Sequence, residues 1–277
     1  MTELPPLREV IAAHGLAARK SLGQHFLLDL NLTARIARAA GALDCGTTIE
    51  VGPGPGGLTR ALLEAGAARV IAIERDDRAI AALQQVAAAA GGRLEILAGD
   101  AMKIDLASLG EAPRRVVANL PYNISTALLI QWLRQAGSFA SFTLMFQKEV
   151  VDRLAASPGS SAYGRLSVIT QWRCQVRPLF NIGREAFIPP PKVTSTVVQI
   201  EPRPQPLADI AMATLERVTA AAFGQRRKML RSSLRALGDA EALLAETGIA
   251  PTLRAEDVDL AGFCALAQAV EARNSPV

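Results

Sequence analysis

Residues 47–66 read TTIEVGPGPGGLTRALLEAG. A short β-branched run enters a glycine cluster, and the glycines open onto a stretch of helical spacing that Gly66 stops. Strand, glycine turn and helix in immediate succession make the first half of a βαβ unit. Glycines at such a turn let backbone N–H groups approach a ligand closely at a helix start. Gly52, Gly54 and Gly57 have the G-x-G-x-x-G spacing of a nucleotide-type cofactor site, a spacing that an ordinary tight turn also meets.

Outward from this stretch the alternation continues. Segments 69–74 and 94–99 read as strands around a helix over 76–90. A fourth strand ends near Ala118, a helix spans 125–135 and a strand 142–146, while 31–43 upstream has helical spacing. Strands and helices alternating at these lengths predict a parallel sheet covered on both faces, an α/β fold of Rossmann type. After residue 147 the pattern changes. Helical stretches at 147–156 and 163–174 flank a turn cluster at 157–161, and strands follow at 176–182 and 193–201. Pro202, Pro204 and Pro206 predict a stiff linker, and the chain beyond about 207 reads as helical. The expected domains are 1–203 and a small helical domain, 204–277.

Composition excludes several classes. Cys45, Cys174 and Cys264 lie far apart with no CxxC spacing, which argues against a disulfide scaffold or a cysteine zinc site. His14 and His25 are the only histidines, so no metal site is expected. No apolar run reaches the roughly 18–20 residues that span a bilayer. The first residues lack a signal-peptide core, and a soluble, cytoplasmic monomer is expected. The net charge of +4 is small but unevenly placed. FGQRRKMLRSSLRAL at 223–237 carries Arg226, Arg227, Lys228, Arg231 and Arg235 with no acid among them. Leu230, Leu234 and Leu237 share another face at helical spacing. That pattern predicts a basic helix touching RNA phosphates, with an ordinary solvated face as the alternative. The remainder, 238–277, has two bases and seven acids, so charge is segregated within the helical domain.

The chemistry is carried by the ends of the predicted strands. Glu74 closes the second strand about 20 residues beyond the glycines, where a carboxylate accepts hydrogen bonds from both hydroxyls of a ribose. Asp100 closes the third and is placed either to accept from an adenine amine or to cap the next helix. NAD and S-adenosylmethionine both present an adenosine. Glu50, two residues before Gly52, would face a pyrophosphate unfavourably and a cationic sulfonium and ammonium favourably. Asn119-Leu120-Pro121-Tyr122 ends the fourth strand, facing the cofactor in a sheet of this kind. An aromatic exocyclic amine is a poor nucleophile because its lone pair is delocalised. Acceptors such as the Asn119 oxygen and a backbone carbonyl near Leu120 can draw its N–H groups and free that pair. Pro121 fixes the turn, and Tyr122 offers a flat face for a base; base–aromatic stacking is worth about 1–3 kcal/mol.

With these segments in order, the chain resembles the KsgA family of small-subunit ribosomal RNA adenine dimethyltransferases over almost its whole length. The resemblance is carried by SLGQHFLLD at 21–29, EVGPGPGGLT at 50–59, IERD at 73–76, GDA at 99–101 and NLPYNIST at 119–126. FQKEVVDRL at 146–154, YGRLSV at 163–168, FIPPPKVTSTVV at 187–198 and FGQRRKMLRSSL at 223–234 extend it. It implies that S-adenosylmethionine is held by His25, Leu27, Gly52, Glu74, Asp100 and Asn119. His25 stands where many bacterial relatives have Asn. Phe187 matches an aromatic that closes on the target base opposite Tyr122; the other reading is a core aromatic, and Pro189-Pro190-Pro191 after it favour an exposed, stiff segment. The resemblance also implies a mostly parallel sheet with one reversed strand, and an RNA-recognition role for 204–277. The implied reaction is dimethylation at N6 of two adjacent adenosines in a hairpin near the 3′ end of the small-subunit RNA, during subunit assembly. Three alternatives stand beside it: an antibiotic-resistance methyltransferase acting on large-subunit RNA, an NAD-dependent oxidoreductase, and a non-catalytic RNA-binding assembly or transcription factor.

Overall fold

The structure, a computed structural model, describes residues 4–18 and 23–274. Ser21 and Leu22, which open the SLGQHFLLD segment, lie outside the described residues. The chain divides into two compact units. One comprises the chain up to Lys148 together with Arg177–Pro202; the other comprises Glu149–Val176 and Arg203 onward.

The first unit is built on β2 (Thr47–Val51), β3 (Val70–Glu74), β4 (Leu94–Ala98), β5 (Arg114–Asn119) and β6 (Ser141–Gln147). These five pair in parallel, with β2 between β3 and β5. Every residue of β2 and of β3 is buried, as befits strands covered on both faces, whereas in edge strand β4 only Leu94 is buried. β9 (Ser195–Pro202) runs antiparallel to β6, with Gln147 opposite Ser195. β7 (Cys174–Ile182) closes the order β4-β3-β2-β5-β6-β9-β7. Before β2 come α1 (Leu7–Ala13), the two-residue β1 (Phe26–Leu27) and α2 (Leu30–Ala39), whose N-cap Asp29 accepts from Asn31 and Leu32 N–H. The crossover helices are α3 (Gly57–Glu64), α4 (Asp77–Ala89) and α5 (Ser125–Leu133). Leu62, Val70, Ala72, Val86 and Val117 pack into one core with Leu27, Ile182 and Val197.

The strand at 187–188 was not foreseen. β8 (Phe187–Ile188) pairs antiparallel with β1, Phe26 opposite Ile188 and Leu27 opposite Phe187. Alternation along a strand sends Phe187 inward, 1% exposed, and Ile188 outward, 46% exposed.

In the second unit, α6 (Lys148–Leu154) leads to α7 (Arg165–Arg173), and α8 (Met212–Gly224), α9 (Leu230–Ser233), α10 (Ala240–Thr247) and α11 (Leu260–Asn274) follow. The chain crosses between the units three times, after Lys148, Val176 and Pro202, the last one residue before the expected 203/204 junction. Residues 149–176 join the tail because Val168 and Trp172 pack with Leu215, Val218, Leu234 and Phe263. The Trp172 indole also donates to the Ala208 carbonyl at 3.0 Å.

The expected basic helix over 223–237 is corrected. α8 stops at Gly224, residues 225–228 turn, and Met229 bridges to Arg254 before the short α9 begins. Residues 234–237 continue as a single 3₁₀ turn. Leu230 and Leu234 are buried, as their spacing required, but Arg226 is not unopposed: it donates to Glu256 at 2.7 Å and to the Ser161 carbonyl at 2.8 Å. Arg227, Lys228, Arg231 and Arg235 are exposed.

Phe263 is fully buried at the centre of the second unit. Phe263→Ala is expected to lower unfolding free energy by about 3–5 kcal/mol, read from urea denaturation, through lost burial and a residual cavity.

Candidate active site

β2, β3 and β4 follow one another to one side of the sheet, while β5 and β6 lie on the other. The order therefore reverses between β2 and β5, and beyond their carboxyl ends opens a crevice. It is a cleft lined by Glu50, Gly52, Glu74, Asp100, Asn119 and Tyr122 among others. The glycine turn forms one wall. Gly52 (φ 71°) and Gly54 (φ 55°) hold left-handed backbone conformations that side chains rarely adopt. A Cβ on Gly54 would stand 3.0 Å from the Phe26 ring, so that ring packs directly on the turn.

Two carboxylates are buried in this cleft. Glu50 accepts from the Thr59 hydroxyl at 2.6 Å. Burial, together with the nearby Glu74 carboxylate, outweighs that bond and pushes Glu50 up to about 8. Glu74 accepts from the backbone N–H of Arg75 (2.8 Å), Asp76 (2.9 Å) and Gly54 (3.2 Å). Burial nonetheless raises it above the usual carboxylate range. Asp100 is more open; it caps its turn by accepting from Met102 N–H at 3.0 Å, and Arg75 approaches at 4.0 Å. It thus fills the capping role while still lining the cleft. The lining suits hydrogen-bond donors and positive charge, and a pyrophosphate poorly.

The Asn-Leu-Pro-Tyr turn meets the 23–27 segment. Asn119 Nδ2 donates to the His25 backbone carbonyl at 3.2 Å. A carbonyl only accepts, so this bond fixes which way the amide points and presents Oδ1 as the acceptor. The side chain of Leu120 is buried, and Pro121 lies 3.8 Å from where a Gly52 Cβ would be. The Tyr122 ring stacks on His25, centroids 5.4 Å apart, and its hydroxyl bonds Ser195 Oγ at 2.6 Å. His25 Nδ1 meets the Pro189 carbonyl at 2.7 Å. Leu27 lines the cleft from β1.

All the expected cofactor contacts, and Asn119 through Tyr122, therefore line one cleft. Phe187 does not. Its inward position in β8 buries it against the core, so the expected exposed segment is corrected and the core-aromatic reading holds for the ligand-free protein. Sequence reasoning missed Phe26, Gln24, Asp76 and Ser195. Gln24 donates to Asp76, and Arg78 grips the same carboxylate through two nitrogens, holding it down to about 2. Asp76 was legible as a helix N-cap; its bond to Gln24, 52 residues away, was not. Among the described residues no group of three or more His, Cys, Asp or Glu side chains could hold a metal, and no helix is long and apolar enough to cross a membrane.

The family model for ribosomal RNA adenine dimethylase matches residues 15–271. The chain is 72% identical over 273 residues to the ribosomal RNA small subunit methyltransferase A of Paramagnetospirillum magneticum, covering 99% of this chain and 97% of that one. It is 70% identical over 272 residues to the protein of the same name from Rhodospirillum rubrum, with 98% and 94% covered. Among solved structures, a dimethyladenosine transferase from Plasmodium falciparum superposes with a TM-score of 0.74 at 26% identity, over 87% of this chain and 96% of that one.

Glu50 supplies a test of the cleft electrostatics. The native carboxyl keeps its proton to about pH 8, while the unfolded one loses it near 4.5. Between those values the native state binds more protons, so Glu50 makes stability fall as pH rises. In Glu50→Gln that contribution disappears. Denaturant midpoints of the ligand-free proteins should diverge from about pH 5 to about pH 8, the wild type losing ground to the variant.

Proposed function

The chain belongs to the ribosomal RNA adenine dimethylase family and is an S-adenosylmethionine-dependent ribosomal RNA methyltransferase, and we propose that it dimethylates N6 of two adjacent adenosines in the 3′-terminal hairpin of small-subunit RNA, with the assembling subunit as its partner. The observation that carries the catalytic part is the Asn119 amide, whose nitrogen is committed to the His25 carbonyl and whose oxygen is left for a donor in the cleft.

The lining fits the cofactor. Two buried carboxylates, a third more open one and a glycine wall suit an adenosine joined to a cationic centre. Gly52, Glu74, Asp100, His25, Leu27 and Asn119 would hold it, with Glu50, protonated in the ligand-free protein at neutral pH, able to ionise against the cationic centre. When bound, S-adenosylmethionine supplies a methyl group made electrophilic by the sulfonium.

The chain's own residues do the rest. Asn119 Oδ1 accepts an N–H of the adenine amine and draws the nitrogen towards tetrahedral geometry, freeing its lone pair. A backbone carbonyl near Leu120 would accept the second N–H. Tyr122 gives the base a face to stack on, recovering about 1–3 kcal/mol of the cost of splaying it from the RNA. No strong base is required: the nitrogen takes the methyl as the sulfonium's carbon–sulfur bond breaks to leave a neutral thioether, and the amine proton, now acidic, passes to water. Positioning of this kind supplies roughly 7–11 kcal/mol. In the second unit, Arg227, Lys228, Arg231 and Arg235 are the exposed bases that meet phosphates, while Arg226 braces its turn through Glu256.

Acidic lining at Glu50 and the Asn-Leu-Pro-Tyr turn disfavour the NAD-dependent oxidoreductase. Methyl transfer from labelled cofactor to undermethylated small subunits, with mapping of modified adenines, tests the substrate; label on large-subunit RNA overturns it. Asn119→Ala should lower transfer by about 100- to 1000-fold. Its cofactor affinity, measured by calorimetry, should fall far less than its turnover, since five other residues still hold the cofactor, and unimpaired turnover removes the assigned role. Replacing Arg227, Lys228 and Arg231 together by Glu should weaken RNA binding and flatten the slope of log K against log salt by about 2 to 3. An unchanged slope makes this surface a solvated face.

A further inference from the structure

Ser195 is the first residue of β9, the strand that runs against β6, and it is fully buried. Its hydroxyl hydrogen-bonds Tyr122 Oη at 2.6 Å across 73 residues of sequence. Tyr122 is thereby held at two places. The His25 ring covers one face, with centroids 5.4 Å apart and planes 29° from parallel, and Ser195 fixes the hydroxyl end. The gap between the His25 and Tyr122 rings is too small to admit a base, which needs about 3.5–4.0 Å of separation from each ring for carbon–carbon contact. A base stacking on Tyr122 must use the face His25 does not cover. The tilt of that face is set by the Ser195 bond, and β9 is a sheet element rather than a loop, so the tilt is held firmly.

We propose that Ser195 is a positioning residue for methyl transfer: it fixes the Tyr122 ring so that the stacked adenine presents its amine to Asn119 Oδ1. His25 serves the same end from the opposite side. Its ring backs Tyr122 while its backbone carbonyl orients the Asn119 amide, so stacking surface and acceptor are referenced to one residue. The proposal rests on the function assigned above, in which Tyr122 receives the base. It assigns no chemistry to the serine, which acts only through the tyrosine.

The test is a double-mutant cycle of Ser195→Ala and Tyr122→Phe, with Ser195→Thr as the variant that keeps the hydroxyl. Each single change should lower kcat by about threefold to tenfold, the range of one buried hydrogen bond, with KM for the RNA and cofactor affinity nearly constant. The double variant should be no slower than the slower single one, because both remove the same bond. Ser195→Thr should recover most of kcat. Melting temperatures separate a folding defect from a positioning one. Unchanged kcat in the folded single variants, or losses that multiply in the double, overturns the assignment. If wild type itself transfers no methyl to small-subunit RNA, the assigned function has failed instead, and the two failures are told apart in one experiment.

Discussion

Between β2 and β5 the order of the sheet reverses, and the site depends on that reversal. β2, followed by β3 and β4, sends its connections to one side; β5, followed by β6, sends them to the other. No crossover helix can cover the gap between the two carboxyl ends, so a crevice must open there. The residues at those ends are Glu50-Val51-Gly52 and Asn119-Leu120. Because β2 is buried on both faces, Glu50 within it has no route to solvent and takes its character from the cleft. The two parts of the proposed chemistry, an acidic wall and a neutral amide acceptor, are thus placed opposite one another by topology rather than by any flexible loop.

The short ribbon of β1 and β8 is the second organising element. It carries the 23–27 segment to the Asn-Leu-Pro-Tyr turn, where the His25 carbonyl, the His25 ring and the Phe26 ring meet Asn119, Tyr122 and Gly54 respectively. Asp76 secures the same segment from the other side through Gln24, and is itself neutralised by Arg78. A segment with only two strand residues is therefore held by specific polar contacts more than by its own ladder. Its conformation bears directly on which atoms face the cleft.

What could be read from sequence follows the range of the interaction that decides it. β2 was expected over 47–51 and lies there, because an uninterrupted apolar run into glycine is a local signal. Glu50, Glu74, Asp100 and Asn119 were legible for the same reason: each stands at a strand end. Phe187 was misplaced because three prolines after it suggest an exposed segment, whereas pairing with Leu27, 160 residues earlier, turns it inward. The basic stretch failed as a helix for a related reason. The spacing of Leu230, Leu234 and Leu237 is helical, yet Met229 pairs with Arg254 and Arg226 with Glu256, about one helical hairpin downstream. The Tyr122–Ser195 bond left no trace at all, since a serine at a strand start is ordinary and its partner lies in another element.

The choice of an amide at 119 follows from the acids around it. Glu50 is already held near neutral by burial and by Glu74. A carboxylate at 119 would add one more acid to the same desolvated cleft, and burial and repulsion would favour its protonated form. Once protonated it would donate where the amine needs an acceptor. An amide oxygen accepts at every pH and adds no charge, but it can face the wrong way, its nitrogen and oxygen being nearly the same size. The His25 carbonyl removes that ambiguity by taking the nitrogen. The acidic wall can therefore favour a cationic cofactor without neutralising the acceptor opposite it, and the cost of burying two carboxylates falls on binding rather than on the transfer.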